Sequence, residues 1–549
     1  MPKIDEFLAT PAWEEAKRQA ATGPRVLLAT SMGGFNHGAM TDKALAIALT
    51  LRGAKVDFFL CDGVPGCHLT KIGKESPARV IETDVRKRCG ACLATGRATL
   101  EPLGLRIATL SDFVTEVDRH EAEELAQNTP VKGLQRMTLS GWKIGEHALA
   151  GALRYFAHDD ISADPLGEGV ARKFLKAAVL TARGVDRLMA SSAYDVVSAN
   201  HGIYTPQGVV GEVARGRGVR VVNWNPAYRR HCFVFSHGDT YHHTMISEDV
   251  SCWENLELSP ERTERIVSYL RERRQASGDW IWFNKAKDSS LAELRKALSL
   301  DERPLVVALT SVAWDACLHY ESNAFQSLTD WTLQTVEYFA ERPDLQLVVR
   351  VHPAEVTGFV KSRTKMADII AERFPQLPEN VKVVPPEDQL STYSLLDNAN
   401  AVLLYSTKTG IEASAQGLPV VVAGEAWIRN KGFSHDANSP QDYRAILDQL
   451  PFRDRLSSEG RERALRYAYH FFFRRMIELP FLEPAGPAEF EIAVSSLDEL
   501  RPGAHPSLDC ILDGMLSGTP FIYDSLPHAT PRPEVPVSKR LQPSADVHQ

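Results

Sequence analysis

The alternation of strand and helix in this chain starts, stops and starts again, and that pattern limits the folds open to it. "GPRVLLATSMGGFNHG" (23–38) is a β run bounded by Gly and Pro that ends in a glycine pair. Apolar residues at helical spacing follow in "AMTDKALAIALTLRGAK", and "VDFFLCDG" returns as a strand. "RIATL", "YDVVSANHG" and "VRVVNWN" continue the series, separated by helical stretches such as 168–190 and 208–217. From about 260 to 300 the chain turns polar and helical. Alternation then resumes with "RPLVVALTS", "LQLVVRVHP", "ENVKVVPP", "ANAVLLYST" and "GLPVVVAGE". The expectation is an α/β protein with two doubly wound, Rossmann-like domains facing a cleft, over 1–285 and 286–456. A crossing helix and C-terminal extension fill 457–549 and end in a Pro-rich tail whose composition reads as disordered.

Composition removes several classes of function. With 62 basic and 70 acidic residues, a net charge of -8 and no long basic run, nucleic acid is not an expected partner. The first residues, "MPKIDEFLATPAWEEAKRQ", mix charges and hold no apolar core, and no segment reaches the roughly 18 uninterrupted apolar residues of a membrane span. The chain therefore reads as cytoplasmic. In "EGRERALRYAYHFFFRRMIELPF" (459–481) aromatics and arginines share one helix, open to two readings: packing across both domains, which is favoured, or lying on the inner membrane as a peripheral contact.

Eight cysteines in 549 residues are too sparse for a disulfide framework, but four of them cluster. Cys61 and Cys67 bracket "CDGVPGC", and Cys89 and Cys92 form "CGAC". Four thiolates suit a structural zinc or an iron–sulfur cluster; small buried thiols are the alternative.

Candidate chemistry gathers where strands end. A His-Pro pair is a chance-level signal, since 17 His and 32 Pro in 549 residues produce about one. At 352–353, however, the pair terminates a strand, because Pro353 has no N–H and keeps His352 out of helix. Arg350 and Glu355 lie beside it. Fifty residues on, the strand "AVLLY" breaks into Ser406, Thr407, Lys408, Thr409 and Gly410, and a helix opens with Glu412 in its first turn. Hydroxyls at a helix start suit phosphate oxygens, with an ordinary N-cap as the plainer account. Glu425, Arg429 and Lys431 follow the next strand, while Ser311, Trp314 and Asp315 end the first strand of the second domain. In the first domain, Asn36 and His37, His201 and Tyr204, and the group His237, Asp239 and His243 all follow predicted strands. One of these histidines is expected to act as a base.

These residues resemble those of the bacterial capsule polysaccharide biosynthesis glycosyltransferases of the GT-B fold, which include Kdo transferases. The likeness rests on "LVVRVHPAE", on "WDACLHYESNAFQSLTDW", and on the run from "VVPPEDQLSTYSLLDNANAV" to "GEAWIRNKGFS", so it is strongest over 305–445. The His-Pro and Ser/Thr loops are also similar to those of bacterial GT-B sialyltransferases. The resemblance implies sugar transfer from a nucleotide donor, CMP-linked and Kdo- or sialic-acid-like, to a growing surface glycan or its lipid anchor, with no metal required at the reaction centre. The strand-end reading places the acceptor in the 1–285 domain, with His37 or His201 as the expected catalytic residue. In the 286–456 domain the resemblance implies that His352, Ser406 and Thr407 bind the donor phosphate with Arg350 and Glu425 nearby; the strand-end reading adds Pro353, Glu355, Thr409, Gly410, Glu412, Ser311 and Asp315 as candidate donor-binding residues. Contact with polysaccharide assembly or export machinery is a further implication. A nucleotide-sugar 2-epimerase, a CDP-alcohol phosphotransferase and a non-catalytic assembly protein remain alternatives on the same fold.

Overall fold

The computed structural model describes residues 4–86, 88–275, 279–280, 288–318, 323–358, 360–486 and 489–526. The Pro-rich tail and the 285/286 boundary lie outside them.

Two twisted sheets carry the molecule. The first domain contains β1 (Arg25–Ser31), β2 (Lys55–Leu60), β3 (Arg106–Thr109), β4 (Val196–Asn200), β5 (Arg220–Pro226) and β6 (Cys232–His237). The second contains β7 (Leu305–Leu309), β8 (Gln346–Arg350), β9 (Val381–Val384), β10 (Ala401–Leu404), β11 (Val420–Val422) and β12 (His435–Asp436). Sheet order is β6-β5-β4-β1-β2-β3 in the first and β12-β11-β10-β7-β8-β9 in the second. Each strand following β1 or β7 moves outward on one side before the chain crosses back, so the order reverses at β4/β1 and at β10/β7. These are the switch points where open α/β sheets bind ligands. Every pairing in the second sheet is parallel; in the first, β6 runs antiparallel to β5. Strands such as "LVVAL" are wholly buried, as strands covered by helices on both faces must be.

Between the domains, Ser259 caps the helix Pro260–Arg274 by accepting the Arg262 N–H, Pro260 opens it and basic residues close it. At the far end of the second domain the helix Ser458–Tyr469 continues into a π-helical turn, His470–Arg474. Tyr467, Tyr469, Phe471 and Phe472 are each no more than 1 % exposed. They join one core with Val234, Met245 and Trp253 of the first domain and Leu404, Ile411 and Ile428 of the second. The aromatic face is therefore occupied by protein, which supports the packing reading and corrects the membrane one. Among the described residues, no helix is long and apolar enough to cross a membrane.

After this crossing the chain returns to the first domain. β13 (Ile477–Glu478) pairs antiparallel with β6, a hairpin of β14 (Leu482–Gly486) and β15 (Glu489–Ile492) follows, and the helix Pro506–Ser517 packs into the core around β1 and β2.

Candidate active site

The carboxyl ends of β7, β8 and β10 bring three loops together. Ser311 and Ser406, which are 95 residues apart in sequence, lie Oγ to Oγ at 2.9 Å. The Thr310 hydroxyl accepts the His352 backbone N–H at 3.0 Å and so fixes the β8 exit against β7. Within the His-Pro turn the Ala354 N–H donates to His352 Nδ1 at 3.1 Å, which puts the ring proton of the neutral imidazole on Nε2. Burial, with Lys408 and Arg350 nearby, pulls the His352 pKa down to about 4, so at neutral pH this ring is an uncharged donor. Thr407 takes the Thr409 N–H at 3.4 Å and donates to the Thr409 hydroxyl at 3.3 Å. Gly410 is required by packing: a Cβ there would sit 2.9 Å from both Leu404 and Ile428.

Several candidates turn away from this junction. Arg350 is 3 % exposed and donates to the carbonyls of Val351, Pro385 and Asp388, so it secures the loop after β9. Pro353 is the N-cap of a single helical turn. Glu355 is buried with its carboxylate on the Met366 N–H, and burial raises its pKa to about 7. Arg429 serves the carbonyls of Gly424 and Ala437, and Lys431 reaches across to the carbonyls of Ile246 and Glu248 in the first domain. Glu412 accepts from the Tyr393 hydroxyl at 2.7 Å and pairs with Arg273 and Lys408, each at 3.1 Å. Burial alone would raise its pKa, but these partners hold it at about 2. Lys408 does not face solvent: its Nζ stands 4.6 Å above the ring of Tyr228. Glu425 stays at the cleft. Among the described residues its buried Oε2 has no hydrogen-bond partner, and burial lifts its pKa to about 7, against a hydrogen bond from Asn323.

Across the cleft, β4 ends at His201, which adopts the left-handed conformation (φ 65°) while its N–H is held by the Trp224 carbonyl. Among the described residues its buried Nδ1 has no hydrogen-bond partner, and burial pulls its pKa to about 4, with Asp315 acting in the opposite direction. The Tyr204 hydroxyl donates to Asp315 Oδ1 at 2.7 Å and accepts the Ala316 N–H at 2.9 Å, which joins the two domains through the site. Around them, His68 lies 4.7 Å from Tyr204 and 5.9 Å from His201, and His242 lies 6.2 Å from His201 and 5.6 Å from Trp427, all between ring centroids. His37 is elsewhere: it stacks on Phe490 of β15 at 4.1 Å, and Asn36 accepts the Phe490 N–H. His237 packs on Phe521, and His243 pairs with Asp239 at 2.8 Å.

Sequence reasoning missed His68, Arg154, Tyr228, His242 and Arg273. Each lies in a helix or loop of unremarked composition and reaches the site only through the tertiary fold. A hollow of about 410 Å³ lined by Arg295, Asp301, Gln346, Asn400 and Arg453 opens at the amino ends of β7, β8 and β10, opposite the ligand-binding edge.

The metal set expected of Cys61, Cys67, Cys89 and Cys92 does not form: among the described residues, no three His, Cys, Asp or Glu side chains come together as metal ligands. Cys89, Cys92 and Gly96 lie on one face of the helix Cys89–Leu100, and that face packs on the Gly33–Gly34 turn. Cys92 Sγ accepts the Gly34 N–H at 3.1 Å, while a Cβ on Gly33 would fall 2.5 Å from Gly96 Cα. Cys67 Sγ lies 3.6 Å from the Thr70 hydroxyl, and burial pushes the Cys61, Cys89 and Cys92 thiols up, away from the thiolate form.

Residues 262–451 match the family described as "Capsule polysaccharide biosynthesis protein". The second domain is similar to that family. The match takes in the linker helix and the whole strand-end junction, about a third of the chain. No curated protein matches. Among solved structures, a Thermosulfurimonas dismutans KpsC "beta Kdo 2,4 transferase" is 14% identical over 56% of this chain and 88% of its own, with a TM-score of 0.34. Its "beta Kdo 2,7 transferase" is 12% identical over 58% and 88%, at 0.30. A UDP-GlcNAc 2-epimerase from Neisseria meningitidis is 11% identical over 81% and 95%, at 0.25. Superpositions this loose identify neither substrate nor mechanism; the capsule-domain match and the site geometry carry the functional argument.

Proposed function

We propose that this chain is a glycosyltransferase that moves a sugar from a nucleotide donor, CMP-linked and Kdo- or sialic-acid-like, to a capsule or other surface glycan or its lipid anchor. The observation that carries this reading is the convergence of Ser311, His352, Ser406 and Thr407 at one point of the capsule domain, facing His201 and Tyr204 across Asp315. Three hydroxyls and an uncharged imidazole donor form a cradle for the oxygens of a leaving phosphate. Its strength lies in these side chains, because the helix that begins at Thr409 is only seven residues long. Lys408 lies close enough to His352 to add positive potential beside the cradle, with Arg350 behind it in the wall, which is in keeping with a transfer that uses no metal at the reaction centre. Glu425, at the end of β11, is placed to accept from donor hydroxyls.

On the other wall His201 is neutral at pH 7 and can take the proton of an attacking hydroxyl. Asp315 then offsets the imidazolium charge as it forms. His37, stacked beneath Phe490, has no such partner and fits a packing role better. Transfer would take place at the cytoplasmic face, where nucleotide sugars are available.

The test is incubation of purified protein with CMP-, UDP- and GDP-sugars while nucleotide release is followed. CMP release that requires a glycan acceptor is the expected result. An epimerised UDP-sugar without release, or no turnover of any donor, would overturn it.

A further inference from the structure

His242 sits between the two walls of the cleft. It lies in the helix Tyr241–Ser247 after β6, where Met245 and Ile246, three and four positions on, anchor the same helix face in the core shared by both domains. Three rings fix its own. Tyr241 lies 4.4 Å away, Trp427 of the second domain 5.6 Å, and His201 6.2 Å at 14° from parallel, all between ring centroids. Trp427 is itself held: its carbonyl accepts the Tyr467 hydroxyl at 2.8 Å and its ring packs 5.2 Å from Phe471. Among the described residues, neither ring nitrogen of His242 has a hydrogen-bond partner, and the residue keeps part of its surface exposed. Other polar atoms around it are likewise unpaired among the described residues: His201 Nδ1 and, on the loop of Trp427, Glu425 Oε2 beside Asn323 Oδ1, all three buried. Unmet polar atoms gathered between two domains mark a place that a ligand completes.

We propose that His242 is a specificity-determining residue for the donor, and that it reads one hydroxyl of the sugar being transferred. The inference rests on the transferase reading of the cleft and adds to it what is recognised in the donor beyond its phosphate. Burial beside His201 and His243 pulls the pKa of His242 well below its usual value, so the ring is neutral at pH 7. A neutral imidazole presents one N–H donor and one bare nitrogen, and a sugar hydroxyl, which both donates and accepts, matches either. Because three rings already fix its plane, His242 loses little side-chain freedom when it binds. An acid group fits less well, since Glu425 on the loop of Trp427 and Asp315 beside His201 bring carboxyls to the same space. Trp427 and Glu425 follow β11 of the domain that carries the phosphate cradle, so the sugar within reach is the one attached to that phosphate. A donor lacking the hydroxyl leaves the imidazole unmatched.

Deleting single hydroxyls from the donor, crossed with His242 variants, tests this. The donors are CMP-Kdo and CMP-sialic acid with analogues of each that lack one sugar hydroxyl, and CMP release is followed as kcat/KM. Wild-type protein should use at least one deoxy analogue about tenfold or more poorly than its parent. His242→Phe, which keeps a ring against Tyr241 and Trp427 but has no nitrogen, should narrow that ratio to about twofold or less with CMP affinity unchanged, and His242→Gln should keep part of it. A merely supporting side chain would lower all donors alike and leave the ratio as it was, which would overturn the inference. Equal use of every deoxy analogue by the wild type would overturn it as well. If His242→Phe fails to fold, His242→Leu takes its place with the same ratio expected. No CMP release from either parent donor would count against the transferase reading itself, and the inference would fall with it. Release that ignores the sugar hydroxyls would remove the inference alone and leave that reading standing.

Discussion

At the scale of single residues, side chains adjacent in sequence divide into those that face the cleft and those that hold up its wall. His352 and Glu355 are three positions apart, but one accepts the Ala354 N–H within the His-Pro turn and the other is 2 % exposed beneath the strand end. Glu355 offers a pH test. Its carboxyl ionises near 4.5 in the unfolded chain and near 7 in the folded one, so between those values the native state binds more protons and stability falls as pH rises. Glu355→Gln keeps an acceptor for the Met366 N–H and removes the buried charge. The variant should match wild type at pH 5 and exceed it by about 2–3 kcal/mol at pH 8 in denaturant titrations; an equal gain at both values would show that the carboxyl is not neutralised by burial. Strand-end residues were legible as a set from sequence. Which of them point into the cleft was not, because that depends on carbonyls 30 or more residues away, such as those of Pro385 and Asp388 that hold Arg350.

At the scale of elements, periodicity in sequence placed the parallel strands and the helices between them, since wholly buried strands and amphipathic helices leave strong patterns. The antiparallel β6, the returning β13 and the β14–β15 hairpin were not legible: they are short, and their pairing is decided by partners up to 246 residues away, as for Glu478 opposite Cys232. The cysteine motif is ambiguous in sequence for a related reason. Spacing in "CGACLATG" marks one helical face equally well for metal ligation and for close packing, and only the neighbouring Gly33–Gly34 turn distinguishes them. Gly96→Ala should therefore destabilise the protein by about 1–3 kcal/mol, because its Cβ would lie 2.7 Å from Gly33 Cα. Cys92→Ser, which preserves an acceptor for the Gly34 N–H, should cost under about 1 kcal/mol. Chemical unfolding of both variants measures this; a larger loss for Cys92→Ser than for Gly96→Ala would favour a role for the sulfur itself.

At the scale of the whole molecule, the cleft is closed by contacts that are also part of the site. Tyr204 spans from the first domain to Asp315 and Ala316 of the second, Lys431 reaches back to the carbonyls of Ile246 and Glu248, and the Arg273–Glu412–Lys408 group ties the linker helix to the loop beside Thr407. Domain position and site geometry are thus coupled. Tyr204→Phe should lower turnover by roughly 10- to 100-fold with CMP affinity unchanged, since it releases Asp315 without touching the phosphate cradle; lost CMP binding in that variant would argue against the division of roles. The central claim is that a leaving phosphate is held where β7, β8 and β10 end. Calorimetric titration of CMP tests it most directly, with wild type compared to Ser406→Ala and to His352→Asn, whose side-chain oxygen can still take the Ala354 N–H. The account predicts one CMP per chain and an affinity about tenfold or more weaker in each variant, with melting temperatures nearly unchanged; CMP bound equally well by all three proteins would contradict it.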